Sequence, residues 1–487
     1  MRIAFEPSSL CGRVTVPSSK SLTHRALIAA AIAAVTTEAG TAAVSAVSTD
    51  TSSAIGTGIS TKMAIDESSS VFTEPNTAVS DGAIAGSDAT EVVEGICQST
   101  IRRASLSQDI QATMDALRSL GAAFTLQDDV ISVKSSRPTR PSCEQPIEIN
   151  CCESGSTLRF LIPIVAALGI PATFYGRGKL PSRPITPYLE IFPHHGVTFD
   201  YAQTMPFSIH GRLTPGRFEV DGNISSQFIS GLLFALPLLA GDSVIAIRGT
   251  LESRPYVELT LDSLRRAGIR VVCDGNLLHV PGNQRFHPID YTLEGDFSQA
   301  AFFLVAGAIG SDVTCGRLPA ESLQGDRQIL NILRQSGAEV NESDDWVTVS
   351  ARPLRPIHVD AADIPDLVPI LAVLASFCVG ESSIYNAARL RIKESDRLHA
   401  VSELLNRLGG KVTELPDGLR IEGVKQLAGG TVFGYNDHRI AMSAAVASIR
   451  SSAPVVLDGA ECVDKSYPTF YEDFKALGGK LHVIDVE

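Results

Sequence analysis

The densest cluster of chemically capable side chains is the stretch RLRIKESDRL, Arg389 to Leu398. It sets four cations (Arg389, Arg391, Lys393, Arg397) and two anions (Glu394, Asp396) within ten positions. A strand-like run, Ser382 to Ala387, precedes it, and a helical one, His399 to Gly410, follows. With that helix taken to begin near Ser395, Lys393 and Glu394 fall in the loop at its N-terminus, where free backbone N–H groups and the helix dipole favour an anion. A lysine beside a glutamate at such a place can offer charge to an anionic ligand and carry a proton. Read as a solvated charge run the segment is poor, because Lys393 and Arg397 stand four apart and repel.

Other stretches repeat the design. Lys20, Ser21 and Arg25 gather at the start of an apolar helix that Ser19 or Ser21 would cap. Cations at that end oppose the dipole, a conflict an anionic ligand would relieve. The SGST loop around Gly155 offers backbone donors, with Arg159 a turn later. Two SRP tripeptides bring Arg183, with Lys179 nearby, and Ser253, with Tyr256 nearby. Ser225, Ser226 and Gln227 open one helix with hydroxyl and amide groups, and Asp296 is placed to cap another. Asp366 begins a buried helix, His438 and Arg439 a further one, and Lys465 follows near the C-terminus. Helices turning such N-termini into one cleft would make it electropositive, although the whole chain carries a net charge of −13.

The elements that must hold these residues recur. A helix ending in glycine and leading into a strand appears at Gly121, Gly196, Gly268, Gly337, Gly409 and Gly478, with spacings of 75, 72, 69, 72 and 69 residues. Glycine there is the left-handed cap that reverses the chain into the next strand. Regular units of an apolar helix plus short alternating strands give an α/β class, and six of them suggest two domains of three with a ligand cleft between. The first unit is too long by roughly fifty residues, a surplus rich in Ser, Thr, Ala and Gly at 35–96. There nine acids face one base, Lys62, and a disordered acidic insertion is expected.

Bulk properties exclude several classes. At 487 residues the chain exceeds one ordinary core. Its acidity argues against general nucleic-acid or anionic-membrane binding. Nine cysteines without CxxC or Cys/His metal spacing read as reduced intracellular thiols. No stretch reads as a signal peptide or a membrane span, so a cytoplasmic protein is expected.

In their order, KSLTHRALIAAA, SSQF, SRPY, IPD, RIKESDRL, NDHRIAM and DKSYPTF resemble the enolpyruvyl transferases, and among them the 5-enolpyruvylshikimate-3-phosphate (EPSP) synthases. The resemblance covers the chain outside the insertion. It implies a two-domain inside-out α/β barrel of six βαβαββ repeats, three per domain. Residues 1–18 with 292–487 would form the first domain and 19–291 the second. The implied reaction moves the enolpyruvyl group of phosphoenolpyruvate to the 5-hydroxyl of shikimate 3-phosphate, a step of chorismate and aromatic amino acid biosynthesis. It releases phosphate, needs no metal or organic cofactor, and is expected of a monomer. By motif, Lys20, Asp366 and Glu394 would be catalytic. Lys20, Ser21, Arg25, Ser225, Ser226, Gln227, Ser253, Tyr256, Asp366 and Lys393 would surround shikimate 3-phosphate. Phosphoenolpyruvate would be held by Lys20, Gly155, Lys179, Arg183, Gln227, Arg397, Arg439 and Lys465. Three positions depart from the pattern: Glu153 and Arg389 stand where many members have Asn, and Lys179 where many have Arg.

Overall fold

A computed structural model describes residues 1–47, 98–135 and 145–484. The architecture below is that of the compact unit formed by Met1–Glu38 and Cys97–Glu487. The expected insertion lies mostly outside the described residues, although the first helix runs on past Val35 to Val47.

The described residues contain twelve α-helices. In chain order they are α1 (Lys20–Val47), α2 (Gln108–Ser119), α3 (Gly155–Leu168), α4 (Thr186–Ile191), α5 (Ser226–Ala235) and α6 (Arg254–Arg266). Then come α7 (Phe297–Ile309), α8 (Ile329–Gln335), α9 (Val368–Ala375), α10 (Arg397–Arg407), α11 (His438–Ala447) and α12 (Phe470–Ala476). The described strands make six four-stranded sheets, and all six share one pairing pattern: a parallel pair at one edge, then two antiparallel pairings. Three sheets are built from consecutive chain, within 147–211, 217–280 and 358–422. The other three borrow a distant strand. Asp290–Thr292 pairs with Ser99–Arg102, Gly12–Thr15 with Val313–Gly316, and Arg2–Glu6 with both Val455–Asp458 and Lys480–Ile484.

The six predicted glycines all have positive φ, between 78° and 96°. Each lets the chain leave a helix left-handed and enter a strand, which a side chain would strain. That recurring reversal gives every unit the same shape.

Helices lie inside and sheets outside. Every residue of α7, α9 and α11 is buried, and these three pack on one another, as α3 packs on α5. A helix apolar all round is stable only when surrounded, and each fully buried Phe in α7 contributes roughly 1.5–3 kcal/mol. Two separate cores result. One joins side chains from Ile3 to Val16 with those from Phe297 to Leu477; the other runs from Leu22 to Leu293. The chain crosses between them twice, side by side: Ser18 bridges Gly295 antiparallel, Ser19 donates to the Glu294 carbonyl (2.9 Å) and Asp296 to that of Pro17 (3.0 Å). Among the described residues no helix is long and apolar enough to cross a membrane.

Candidate active site

Helix starts converge on one polar cavity. Its lining takes Lys20, Ser21 and Arg25 from α1, Gly155 and Arg159 from α3, Ser225, Ser226 and Gln227 from α5, and Ser253 and Tyr256 from α6. The other core contributes Asp366 ahead of α9, Lys393, Glu394 and Arg397 at α10, and His438 and Arg439 at α11. Arg183 completes the set. The expected electropositive cleft is therefore formed by N-terminal turns, whose orphan donors face it.

Local caps fix these ends. Ser154 accepts from Thr157 N (3.2 Å), Ser225 from Gln227 N (3.3 Å), Asp396 from His399 N (3.1 Å) and Asp437 from Arg439 N (2.9 Å). Two sequence expectations need correction. Neither Ser19 nor Ser21 is seen capping α1. Lys20 N donates instead to Asp296 Oδ2 at 2.9 Å, 276 positions away, while the Ser19 hydroxyl has no partner among the described residues. Asp296 also caps α7 through Ser298 N (2.9 Å), so one carboxylate serves two helices from the two cores. And α10 begins at Arg397, capped by Asp396, two residues beyond Ser395, which leaves Lys393 and Glu394 in the loop before the helix as expected.

Arg397 organises the carboxylates of the cavity. Its side chain is 2 % exposed and donates to Asp437 Oδ2 (Nε, 2.8 Å), Asp366 Oδ1 (Nη1, 2.9 Å) and Glu394 Oε2 (Nη2, 2.7 Å). Arg439 Nη2 donates to Asp366 Oδ2 (3.0 Å), and Lys393 Nζ lies 3.8 Å from Asp366 Oδ1. Burial alone would raise both carboxylates. Arg439, Lys393 and Arg397 override it at Asp366, and Arg397, Arg183 and Lys393 at Glu394, holding both well below the ordinary carboxylate range. The same burial takes the Lys393 ammonium down to about 8, against the pull of Asp366 and Glu394. Behind Asp366 sits Asp326, pushed up to about 7 by burial and then by the Asp366 charge; it accepts the Tyr256 hydroxyl at 2.9 Å.

On the opposite wall two buried cations are not neutralised. Arg25 donates to Thr260 Oγ1 (2.8 Å) and to the carbonyls of Ser21 (2.8 Å) and Tyr256 (2.7 Å). Arg159 donates to Gln227 Oε1 (2.7 Å) and the Pro184 carbonyl (3.1 Å). Both are buried, and among the described residues neither has a carboxylate within ion-pair distance. Buried unpaired guanidinium is costly, and an entering anion removes that cost.

Two predicted residues lie off the lining. Lys179 is exposed, in the turn before the 3-10 helix Leu180–Ser182. Lys465 is held by Glu153 Oε2 (2.7 Å) and the Asn436 carbonyl (2.6 Å). The cavity also takes in residues absent from the predicted set: Asp109, which pairs with Lys20 Nζ at 2.8 Å, together with Arg159, Arg389 and His438. Arg159 and His438 stand at helix starts already visible in the sequence. Asp109 gave no signal, since an acid in a first turn is ordinary dipole complement.

Comparison with known proteins follows the same line. A family model described as EPSP synthase (3-phosphoshikimate 1-carboxyvinyltransferase) matches residues 5–64 and 93–474. A Clostridium kluyveri protein named 3-phosphoshikimate 1-carboxyvinyltransferase is 46% identical over 387 residues, covering 79% of this chain and 90% of its own. A Clostridium novyi protein of the same name is 38% identical over 486 residues, covering 98% and 97%. The structure of an EPSP synthase from Acinetobacter baumannii superposes with a TM-score of 0.73 at 22% identity, over 99% of this chain and 100% of its own. With the six-unit fold, the inward-facing helix starts and these matches in agreement, the chain belongs to the EPSP synthase family.

Proposed function

We propose that this chain transfers the carboxyvinyl group of phosphoenolpyruvate to the 5-hydroxyl of shikimate 3-phosphate with release of phosphate, as a cytoplasmic monomer. Residues 1–18 with 292–487 act as one domain and 19–291 as the other, with the substrates between them. The observation that carries the reading is the asymmetry of the cavity. One wall holds the unpaired Arg25 and Arg159, and the other holds carboxylates already committed to Arg397 and Arg439. Two anionic substrates supply the missing negative charge, and arginine forks match their phosphates and carboxylates.

Shikimate 3-phosphate sits against Ser21, Arg25, Ser225, Ser226, Ser253 and Tyr256, with Lys393 near its ring and Gln227 between the two ligands. Phosphoenolpyruvate is held by Arg183, Arg397, Arg439 and the Gly155 loop, with Lys179 and Lys465 brought in at its rim. Asp366 orients the 5-hydroxyl for attack on the enolpyruvyl carbon. The hydroxyl proton passes to Asp366 as the new C–O bond forms and goes out with the phosphate. Glu394, held ionised by Arg397 and Arg183, first takes up a proton as the incoming phosphoenolpyruvate anion draws on those arginines. It delivers that proton to the methylene as the tetrahedral adduct forms and takes one back as phosphate leaves, with Lys20 assisting.

Phosphate release, measured with shikimate 3-phosphate and separately with UDP-N-acetylglucosamine as acceptor, tests this. Turnover should require shikimate 3-phosphate, and Glu394→Gln should lower kcat by about a hundredfold or more, as loss of a general acid–base does. Turnover with the nucleotide sugar instead, or with neither acceptor, would refute the assignment.

A further inference from the structure

The surroundings of Glu153 are built for a carboxylate. Oε2 accepts from Lys465 Nζ at 2.7 Å and from Asn436 Nδ2 at 3.0 Å. Gly178, with φ +61°, faces it, and a Cβ there would collide with the carboxylate. The loop that carries Glu153 belongs to the core running from Leu22 to Leu293. Asn436 and Lys465 belong to the other, so the pair spans the two. Lys465 Nζ donates at this spot to Glu153 and to the Asn436 carbonyl, and its side chain is 7 % exposed. Two residues further on, Gly155 and the N-terminal turn of α3 open into the cavity.

An asparagine at this position can donate a hydrogen bond to an anion. A carboxylate cannot, and it attracts the very cation that an anion would use. We infer that Glu153 is a resident competitor for the enolpyruvyl donor: its carboxylate occupies Lys465 and sets a ceiling on the affinity for phosphoenolpyruvate without touching the acceptor subsite. This rests on the functional reading above. When the donor binds, Lys465 must be shared with or released from Glu153, so part of the donor's binding free energy is used in exchanging one carboxylate for another.

Steady-state kinetics of the full chain test the idea. In Glu153→Gln, which keeps the shape and removes the charge, KM for phosphoenolpyruvate should fall about three- to tenfold, the worth of one partly exposed ion pair. KM for shikimate 3-phosphate should stay within about twofold, the ordinary reach of a change outside that subsite. Glu153→Asn should act in the same direction, and it serves if the glutamine variant does not fold. Loss of a merely structural clasp between the cores would instead raise both KM values. An unchanged or higher KM for phosphoenolpyruvate, with wild-type turnover intact, overturns this inference alone; absence of wild-type turnover with shikimate 3-phosphate overturns the functional reading and this inference with it.

Discussion

Asp437 is the anchor of the Arg397 cluster, and its replacement by asparagine can be worked through atom by atom. The side chain is wholly buried. Oδ1 accepts from Arg439 N (2.9 Å) and Arg397 Nη2 (3.4 Å), and Oδ2 from Arg397 Nε (2.8 Å) and Ser395 Oγ (3.0 Å). Whichever way an amide is turned, its NH2 meets an N–H: Arg397 Nε on one side, or the capped Arg439 backbone on the other. Breaking a buried ion pair costs about 3–5 kcal/mol, and Arg397 keeps Asp366 and Glu394, so Asp437→Asn should lose about 3 kcal/mol. Trp346, the single tryptophan, lies in a strand of the same core, with Arg13 5.6 Å over its ring, and reports that core's unfolding in urea. Ser395→Ala is the control, expected at about 1 kcal/mol for one lost hydrogen bond. A loss below about 1 kcal/mol for Asp437→Asn would mean that Asp366 and Glu394 satisfy Arg397 unaided, and the account of the cluster would be wrong.

Lys393 gives a pH prediction. Its folded pKa of about 8 lies below the unfolded lysine value, so the unfolded chain binds more protons above pH 8. Its contribution to stability therefore rises with pH from about 8 to about 10.4, while its charge, and with it kcat/KM for shikimate 3-phosphate, falls as pH rises through about 8. Lys393→Arg should flatten that limb, and an unaltered pH profile would exclude Lys393 as its source. Gly155→Ala places a Cβ 2.7 Å from Arg183 Nη1 and 2.9 Å from its Cζ, so the guanidinium must move. KM for phosphoenolpyruvate should rise about tenfold, as expected for a misplaced ligand fork, with the acceptor KM nearly unchanged. Equal rises in both would show that the residue acts on closure rather than on Arg183.

Much of this was readable in the chain. The six glycine-capped reversals were visible because only one residue type fits a left-handed exit, and their φ values agree. Inward-facing helix starts were legible because Lys20, Arg397 and Arg439 sit where the dipole disfavours them unless an anion is near. What stayed hidden was pairing across long separations. Asp296 capping α1, Asp109 holding Lys20 and Glu153 taking Lys465 depend on which loops meet, and no local pattern encodes that. The start of α10 was misplaced by two residues for a local reason: Asp396 is the better cap, since its carboxylate reaches His399 N and Ser395 bonds to Asp437 instead.

The strand Arg2–Glu6 is an inner strand flanked on both sides by segments far along the chain, Val455–Asp458 and Lys480–Ile484. A polypeptide ending before Val455 would leave Ile3, Ala4 and Phe5 with two unpaired edges, a ready template for aggregation. The sheet therefore closes a long loop of chain on itself: Arg2–Glu6 has no completed neighbour until both distant strands have folded against it.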